Sequence, residues 1–264
     1  MSDRSRVAAE LRAAGSVWAE DEAALLVDAA PTEAELEALV TRRVAGEPLE
    51  TVLGWVAFLD RRLVVAPGVF VPRRRTELLA RTTLARAASH HVVVEMCCGV
   101  APVAAVLEGM GAEVHAADVS EPALACAALN AAGARLHHGD LFDALPDELA
   151  GRIDVLVANA PYVPSARIAS MPAEAREHEP YVALDGGVDG VDLHRRLARG
   201  APGWLAPGGV LLIETGRDQL ALTLGAMRTA GLVTGHVIDD EVDGCVAVGL
   251  RPGGRAAARE EERA

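Results

Sequence analysis

The sequence predicts an α/β protein, a mostly parallel sheet covered by helices and preceded by a small all-α module. Three observations predict it. From His91 to about residue 250, short β-branched runs alternate with helix-length segments, the pattern of βαβ units joined by right-handed crossovers. Residues 4–44 carry helical spacing and no strand pattern, and residues 51–71 are rich in β-branched and aromatic side chains. At 264 residues and 51% hydrophobic composition, the chain can bury one large core and a small one.

Taken in order, Val7 and Leu11 share one helical face and Leu25 and Leu26 the next. Thr32 starts a third helix as N-cap, with Glu35 in the capping-box position and Leu36, Leu39 and Val40 as its buried stripe. Trp55 to Leu59 and Leu63 to Val65 read as a hairpin around an Asp60-Arg61-Arg62 turn, and Pro67-Gly68 and Pro72 punctuate its exit. Thr76 is placed to cap a helix whose Leu78, Leu79 and Leu84 face inward. Strands are then expected at 91–95, 113–117, 134–138, 153–158, 209–214, 232–238 and 244–250. Helices are expected at 103–110, 121–132, 191–205 and 219–229, with a long loop after residue 158. The charged, Ala-rich tail 253–264 has no apolar periodicity and is expected to be disordered.

Composition narrows the function. The formal net charge is −13 and every basic residue is Arg. Such acidity argues against broad binding to a phosphate backbone and favours a protein or small-molecule substrate. No apolar run reaches bilayer-spanning length and the first residues lack the apolar core of a secretory signal, so a cytoplasmic location is expected. Cys97, Cys98, Cys126 and Cys245 have no metal-binding or disulfide spacing and read as reduced thiols; no metal site is expected.

The first candidate site is Glu95-Met-Cys-Cys-Gly-Val-Ala-Pro102, a strand followed by a tight turn of small residues, with Asp118 and Val119 closing the next strand. An acid about 20 positions beyond such a turn suits ribose hydroxyls. Only Gly99 of a dinucleotide-type glycine set is present, so a cofactor with a ribose and no phosphate fits better, and S-adenosylmethionine meets that description. Taken alone, Glu95 and Asp118 fit strand-end caps equally well. Asp140 closes the third strand, positioned to accept from an adenine amino group, with Leu141 and Phe142 to flank the ring. The fourth strand, Ile153 to Ala158, breaks at Asn159-Ala160-Pro161-Tyr162, where Pro161 restrains Ala160 to extended geometry. Glu95, Asp118, Asp140 and Asn159 thus fall at the carboxyl ends of four successive strands, the edge where ligands bind open α/β sheets. His137-His138 reads as a solvated strand end. His178 and Glu179 lie in the loop beyond the motif, as candidates for a substrate mouth, and Arg73-Arg74-Arg75 reads as a solvated helix start or a contact for an acidic partner.

Asn159-Ala-Pro-Tyr162 resembles the Asn-Pro-Pro-Tyr motif of amino-methyltransferases. The flanking segments resemble the protein-(glutamine-N5) methyltransferases that modify peptide-chain release factors, the HemK/PrmC family, over nearly the whole chain. Gly46-Glu-Pro-Leu49, Leu53-Gly54, Pro67-Gly-Val-Phe-Val-Pro72 and Arg75-Thr-Glu77 are similar to the family's interdomain segment. Glu179-Pro180, Ala183-Leu-Asp-Gly-Gly187, Asp189-Gly190 and Asp192 look like its loop, and Leu205-Ala-Pro-Gly-Gly209, Glu214-Thr-Gly216 and Gln219 like its next strand. Departures are specific. Cys97 and Ala101 replace two glycines of the first motif, Glu95 replaces its aspartate, and Ala160 replaces the first proline of the catalytic motif. Arg73-Arg74-Arg75 stands in place of Arg-Pro-Asp, and Asp243-Gly-Cys-Val246 lacks the family's usual Arg ending.

The resemblance implies a Rossmann-like class I S-adenosylmethionine-dependent methyltransferase sheet of seven strands, the last antiparallel, behind an N-terminal helical domain. It implies residues 1–50 as a helical substrate-docking domain, 51–74 as a hairpin linker and 75–252 as the methyltransferase domain. Glu95, Cys97, Gly99, Ala101, Asp118, Val119, Asp140, Leu141 and Asn159 are the implied cofactor-site residues. Asn159, Ala160, Pro161 and Tyr162 are the implied catalytic set, Asn159 Oδ1 and the Ala160 carbonyl accepting the substrate's N–H bonds. The expected reaction is N5-methylation of a glutamine in a release factor by a monomer, with no membrane or direct nucleic-acid partner. Two other readings remain open: methylation of another planar nitrogen, in a nucleobase or small molecule, and a non-catalytic protein-binding module.

Overall fold

The computed structural model describes residues 3–253, so the expected tail lies outside the described residues except for Gly253. Helices α1 (Asp3–Ala13), α2 (Ala19–Ala29) and α3 (Glu33–Val44) bury Val7, Leu11, Leu26, Leu36 and Val40 in a core of their own, closed by Val52 of α4 (Leu49–Leu53). Thr32 caps α3: its hydroxyl accepts from the Glu35 N–H at 3.3 Å, while the Glu35 side chain takes the Thr32 hydroxyl proton at 2.7 Å rather than the Thr32 backbone N–H of a full capping box. Arg43 forks onto the buried Glu22 at 2.8 and 2.9 Å, pinning α3 to α2.

Two expectations change in the next segment. Residues 49–53 are helical rather than extended, because Pro48 starts a turn that Gly54 ends in the left-handed region at φ 79°. The hairpin of β1 (Trp55–Phe58) and β2 (Arg61–Val64) turns at Leu59-Asp60, so Arg61 and Arg62 are strand residues. The hairpin is no free connector: Val56, Phe58 and Leu63 enter the main core. Asn130 clamps it, accepting from the Val64 N–H at 2.7 Å and donating to the Val64 and Val100 carbonyls at 3.0 and 2.9 Å.

After α5 (Thr76–Leu84) come β3 (Val92–Met96), α6 (Pro102–Val106), β4 (Glu113–Asp118), α7 (Glu121–Asn130), β5 (Arg135–His138) and β6 (Ile153–Ala158). Two short helices, α8 (Ser165–Ile168) and α9 (Ala173–His178), occupy the expected loop. Then follow α10 (Asp192–Trp204), β7 (Leu205–Glu214), α11 (Leu220–Thr229), β8 (Val233–Asp239) and β9 (Gly244–Leu250). The seven-stranded sheet has the order β5-β4-β3-β6-β7-β9-β8, parallel from β5 to β7, with β9 inserted antiparallel between β7 and β8.

Period-two alternation sends Val93 of β3 to one face and Val92, Val94 and Met96 to the other. Each face is buried, the first under the hairpin, α5, α6 and α7, the second under α10 and α11. Burial on both faces is why these strands read as continuous apolar runs. The chain winds from β3 outward to β5 and then returns to β6 on the other side of β3. That reversal opens a crevice at the carboxyl ends of β3 and β6.

Candidate active site

The crevice holds a cavity of about 550 Å³ whose wall includes Gly99, Asp118, Leu141, Asn159 and Tyr162. Its floor begins where β3 ends. Cys97, Gly99 and Ala101 take φ of 50°, 53° and 59°, the left-handed region at each alternate position. Two of the three are not glycine, so the turn persists against a steric cost of roughly 1–2 kcal/mol per residue. A Cβ added at Gly99 meets nothing within 4 Å, so the space over the turn is open. Asp118 anchors the turn, accepting from the Gly99 N–H at 2.8 Å and from the Ser120 N–H at 2.9 Å. Burial raises the Asp118 pKa, and those amides oppose the rise.

Glu95 lies on the cavity wall and also braces the next helix. Its two oxygens accept from the Val103 and Ala104 N–H groups at 3.2 and 2.7 Å, holding the start of α6. It is fully buried, and burial pushes its pKa up to about 8 against the pull of those amides. Ala101 is buried behind the turn and lies outside the cavity wall, whereas Cys97 and the exposed Val119 lie on it. Asp140 is on the wall too, but its carboxylate pairs with Arg196 of α10 at 2.8 Å. Phe142 does not flank the cavity. It stacks on Trp204 with ring centroids 5.6 Å apart, because α10 offers it an aromatic face.

On the opposite wall, Asn159-Ala160-Pro161-Tyr162 leaves β6 and is braced from below. The Val163 N–H donates to the Leu184 carbonyl at 3.0 Å, the Gly186 N–H to the Val163 carbonyl at 2.9 Å, and Gln219 Nε2 to the Tyr162 carbonyl at 2.5 Å. Asn159 Nδ2 donates to Thr76 Oγ1 at 3.3 Å, which leaves Oδ1 as its free acceptor. The Tyr162 hydroxyl donates to Glu214 Oε1 at 3.3 Å and accepts from Arg75 at 3.4 Å. Burial raises the pKa of Tyr162, and the Glu214 carboxylate adds to the rise, so the phenol is neutral at neutral pH. Burial likewise lifts Glu214 to about 7, opposed by Thr76, Arg75 and Tyr162. His194 of α10 is buried beneath the motif, its Nδ1 2.9 Å from Thr223 Oγ1; burial lowers it to about 4, with the Ala160 carbonyl pulling the other way.

Several residues enter this site unannounced by strand-end position. Arg73 pairs with Glu179 at 2.5 Å and Arg75 reaches Tyr162, so two of the three consecutive arginines face inward and only Arg74 is exposed. Thr76 does not cap α5; Arg75 holds the N-cap position and the threonine side chain serves Asn159. Glu179 lines the cavity, but His178 does not and sits near Gly46 instead. His137 is no solvated strand end: its Nε2 is 2.8 Å from Nδ1 of the buried His115. The signal for Thr76 and Glu214 was present only in the family-like segments that carry them; polarity next to apolar strand and helix residues does not reveal a partner.

A seven-stranded sheet parallel from β5 to β7, reversing at β3 and β6 and closed by an antiparallel β9, is the class I methyltransferase fold. The same fold is seen in a methyltransferase from Pyrococcus furiosus (TM-score 0.57, 16% identity, 80% of this chain and 97% of that one). It is seen also in the Mtq2–Trm112 complex of E. cuniculi, responsible for methylation of the eRF1 translation termination factor (TM-score 0.53, 17% identity, 70% and 99%). No protein-family model matches the chain. Two curated relatives are much closer in sequence. The release factor glutamine methyltransferase of Geobacter sulfurreducens is 39% identical over 199 residues, 73% of this chain and 69% of the relative. The 4-amino-L-phenylalanine/4-methylamino-L-phenylalanine methyltransferase of Streptomyces pristinaespiralis is 39% identical over 203 residues, 73% and 69%. The chain belongs to the release factor glutamine methyltransferase family, and it is a methyltransferase.

Proposed function

We propose that the protein methylates the side-chain amide nitrogen of a glutamine in a peptide-chain release factor, using S-adenosylmethionine. The observation that carries this reading is the placement of Asn159-Ala-Pro-Tyr162 on the wall of the cavity whose floor is the Cys97–Ala101 turn and Asp118. The residues fit the cofactor. Asp118 retains lone pairs for ribose hydroxyls, the open space over Gly99 admits the amino-acid end, and Val119 and Leu141 offer apolar faces to a base. Asp140 can serve the adenine amino group only with the oxygen that Arg196 leaves free. When bound, S-adenosylmethionine supplies an electrophilic methyl group on a positively charged sulfur.

An amide nitrogen is a weak nucleophile because its lone pair is delocalised into the carbonyl. The protein's task is to hold that nitrogen close to the methyl and in line with it, so positioning carries much of the rate. Asn159 Oδ1 and the Ala160 carbonyl accept the two amide N–H bonds, turning the lone pair toward the methyl and stabilising the positive charge that develops on N–H; one of these protons is then lost to solvent, leaving the neutral N-methyl amide. Tyr162 packs against the planar amide with a neutral phenol. The helical module of residues 1–50 docks the protein substrate, and the enzyme works as a cytoplasmic monomer. No helix of the described residues is long and apolar enough to cross a membrane.

A second reading rests on the Streptomyces pristinaespiralis relative: a small aromatic amine presents the same N–H pair to the same acceptors. A nucleobase is disfavoured by the net charge of −13. Incubation with S-adenosylmethionine and either purified release factor or 4-aminophenylalanine, read by intact mass and fragmentation, separates the readings. A methyl on a release-factor glutamine is expected; methylation of the arylamine alone overturns the proposal. Calorimetry with S-adenosylmethionine tests the non-catalytic reading, which predicts no binding heat.

A further inference from the structure

We infer that Arg196 is a cofactor-binding residue that, together with Asp140, reads the amino edge of the adenine and selects it over a 6-oxopurine. The inference rests on the cavity being the S-adenosylmethionine site. Three arginines line that cavity, Arg73, Arg75 and Arg196, and their partners separate them. Arg73 is taken by the buried Glu179 and Arg75 reaches the Tyr162 hydroxyl, so both serve the end where Asn159 and Tyr162 stand. Arg196 stands at the other end. The Cys97 thiol, on the same wall, feels the charges of Asp118, Asp140 and Arg196, which gathers these groups around the turn after β3.

The course of α10 explains why this arginine faces inward and its neighbours do not. The helix starts at the carboxyl edge of the sheet and runs away from it, so Arg196 is still level with the cavity. Arg195 turns to Asp189 and Asp192, and Arg199 lies farther along, where both line a separate groove between α10 and α11.

Arg196 Nη2 donates to Asp140 Oδ2 at 2.8 Å, the one hydrogen bond of either side chain among the described residues. A guanidinium carries several N–H groups in one plane and a carboxylate two oxygens in another. Joined through a single N–H and a single oxygen, the pair still presents an acceptor, Oδ1, beside unused donors. Both side chains are about half exposed, 46% and 54%, so those groups are open to a ligand. The amino edge of adenine is the complement: an N–H donor flanked by ring nitrogens that only accept. Asp140 Oδ1 takes the amino proton, Arg196 donates to a neighbouring ring nitrogen, and the ion pair holds the two in register. A 6-oxopurine puts a carbonyl oxygen where the amino group was. Acceptor then faces acceptor at Oδ1, and that base is refused.

The test uses S-adenosylhomocysteine, which has no methyl group to transfer, and its 6-oxo, 1-deaza and 7-deaza purine analogues. Each is titrated by calorimetry into wild type, Arg196→Ala and Asp140→Asn. Wild type should bind the 6-oxo analogue about 10- to 100-fold more weakly than S-adenosylhomocysteine, the discrimination of a well-paired base edge. One of the two deaza analogues, the one lacking the nitrogen that Arg196 meets, should bind wild type about 5- to 20-fold more weakly. Arg196→Ala should weaken S-adenosylhomocysteine by that same factor and leave that deaza analogue within about twofold, because its contact is already gone. Asp140→Asn, whose amide can donate to a carbonyl, should bring the 6-oxo analogue to within about threefold of S-adenosylhomocysteine. Wild type that binds both deaza analogues as it binds S-adenosylhomocysteine overturns the inference, with no variant needed. So does Arg196→Ala that weakens every ligand equally, the result of a merely structural ion pair, or that weakens none. Wild type that binds none of the ligands removes the cofactor reading itself, whereas binding that ignores the base removes the inference alone.

Discussion

Ala160 is fully buried, follows Asn159 and precedes Pro161. Pro161 restrains Ala160, but Asn159 itself has no following proline to hold it extended. Ala160→Pro supplies that restraint. Turnover is expected to rise, with cofactor affinity unchanged by calorimetry, because reaction rate depends on how closely the acceptor is held; unchanged or lower turnover counts against preorganisation by this residue. The turn after β3 tells a related story. Cys97 and Ala101 keep left-handed angles that glycine adopts without strain, so residue identity understated how well the backbone is preserved. Asn159, Tyr162, Asp118 and Gly99 were legible in the sequence because strand ends and Pro breaks announce themselves. Thr76, Arg75 and Glu214 were not, because each becomes functional only through a partner more than 50 positions away.

At the scale of elements, the exit of β6 is held by the segment from Tyr181 to Asp192, which meets it through the parallel bridge between Val163 and Asp185. Gly190 lies at φ 79°, and a Cβ there runs into the Tyr162 carbonyl and Gln219 Nε2, the bond that holds the motif down. A Cβ on Gly186 meets the Tyr162 Cα at 2.7 Å. Gly190→Ala is therefore expected to cost roughly 1–3 kcal/mol of stability through strain and overpacking. It should also cut kcat by about tenfold or more by lifting Tyr162, since small misplacements are amplified at a reacting group. Thermal unfolding and initial rates measure the two; full activity in the variant dissociates the brace from catalysis. The strands and long helices of the sheet were readable from periodicity. The brace was not: α8, α9 and a bridge of one residue pair are too short to carry a period, and α4 hid within a β-branched run because Pro48 and Gly54, not propensity, define it.

Across the whole molecule, two buried carboxylates shape stability, and the helical module has an apolar core of its own. Glu95 and Glu214 are raised from 4.5 to about 8 and about 7, so the folded state binds protons that the unfolded state has lost. Their contribution is fully present below about pH 4.5 and is lost as pH rises through 7 to 8. Tm should therefore fall between pH 6 and 9, and Glu95→Gln should flatten that fall; a slope unchanged by the substitution removes Glu95 as its source. The helical module is a different matter, because its apolar side chains form a cluster apart from the two that cover the sheet. Its described links to the catalytic part include the Arg43–Glu174 pair at 3.7 Å and the approach of Gly46 to His178. A chain beginning at residue 45 keeps both sheet cores and every group named in the cavity. If the module docks the protein, this truncation should bind S-adenosylmethionine within about threefold of wild type and methylate a short glutamine peptide at a similar rate. Methylation of intact release factor should fall roughly 100-fold, the ~3 kcal/mol expected of a lost docking surface. Equal losses on peptide and protein mean that the module supports the fold of the catalytic part. No loss on either means that the module does not dock the release factor.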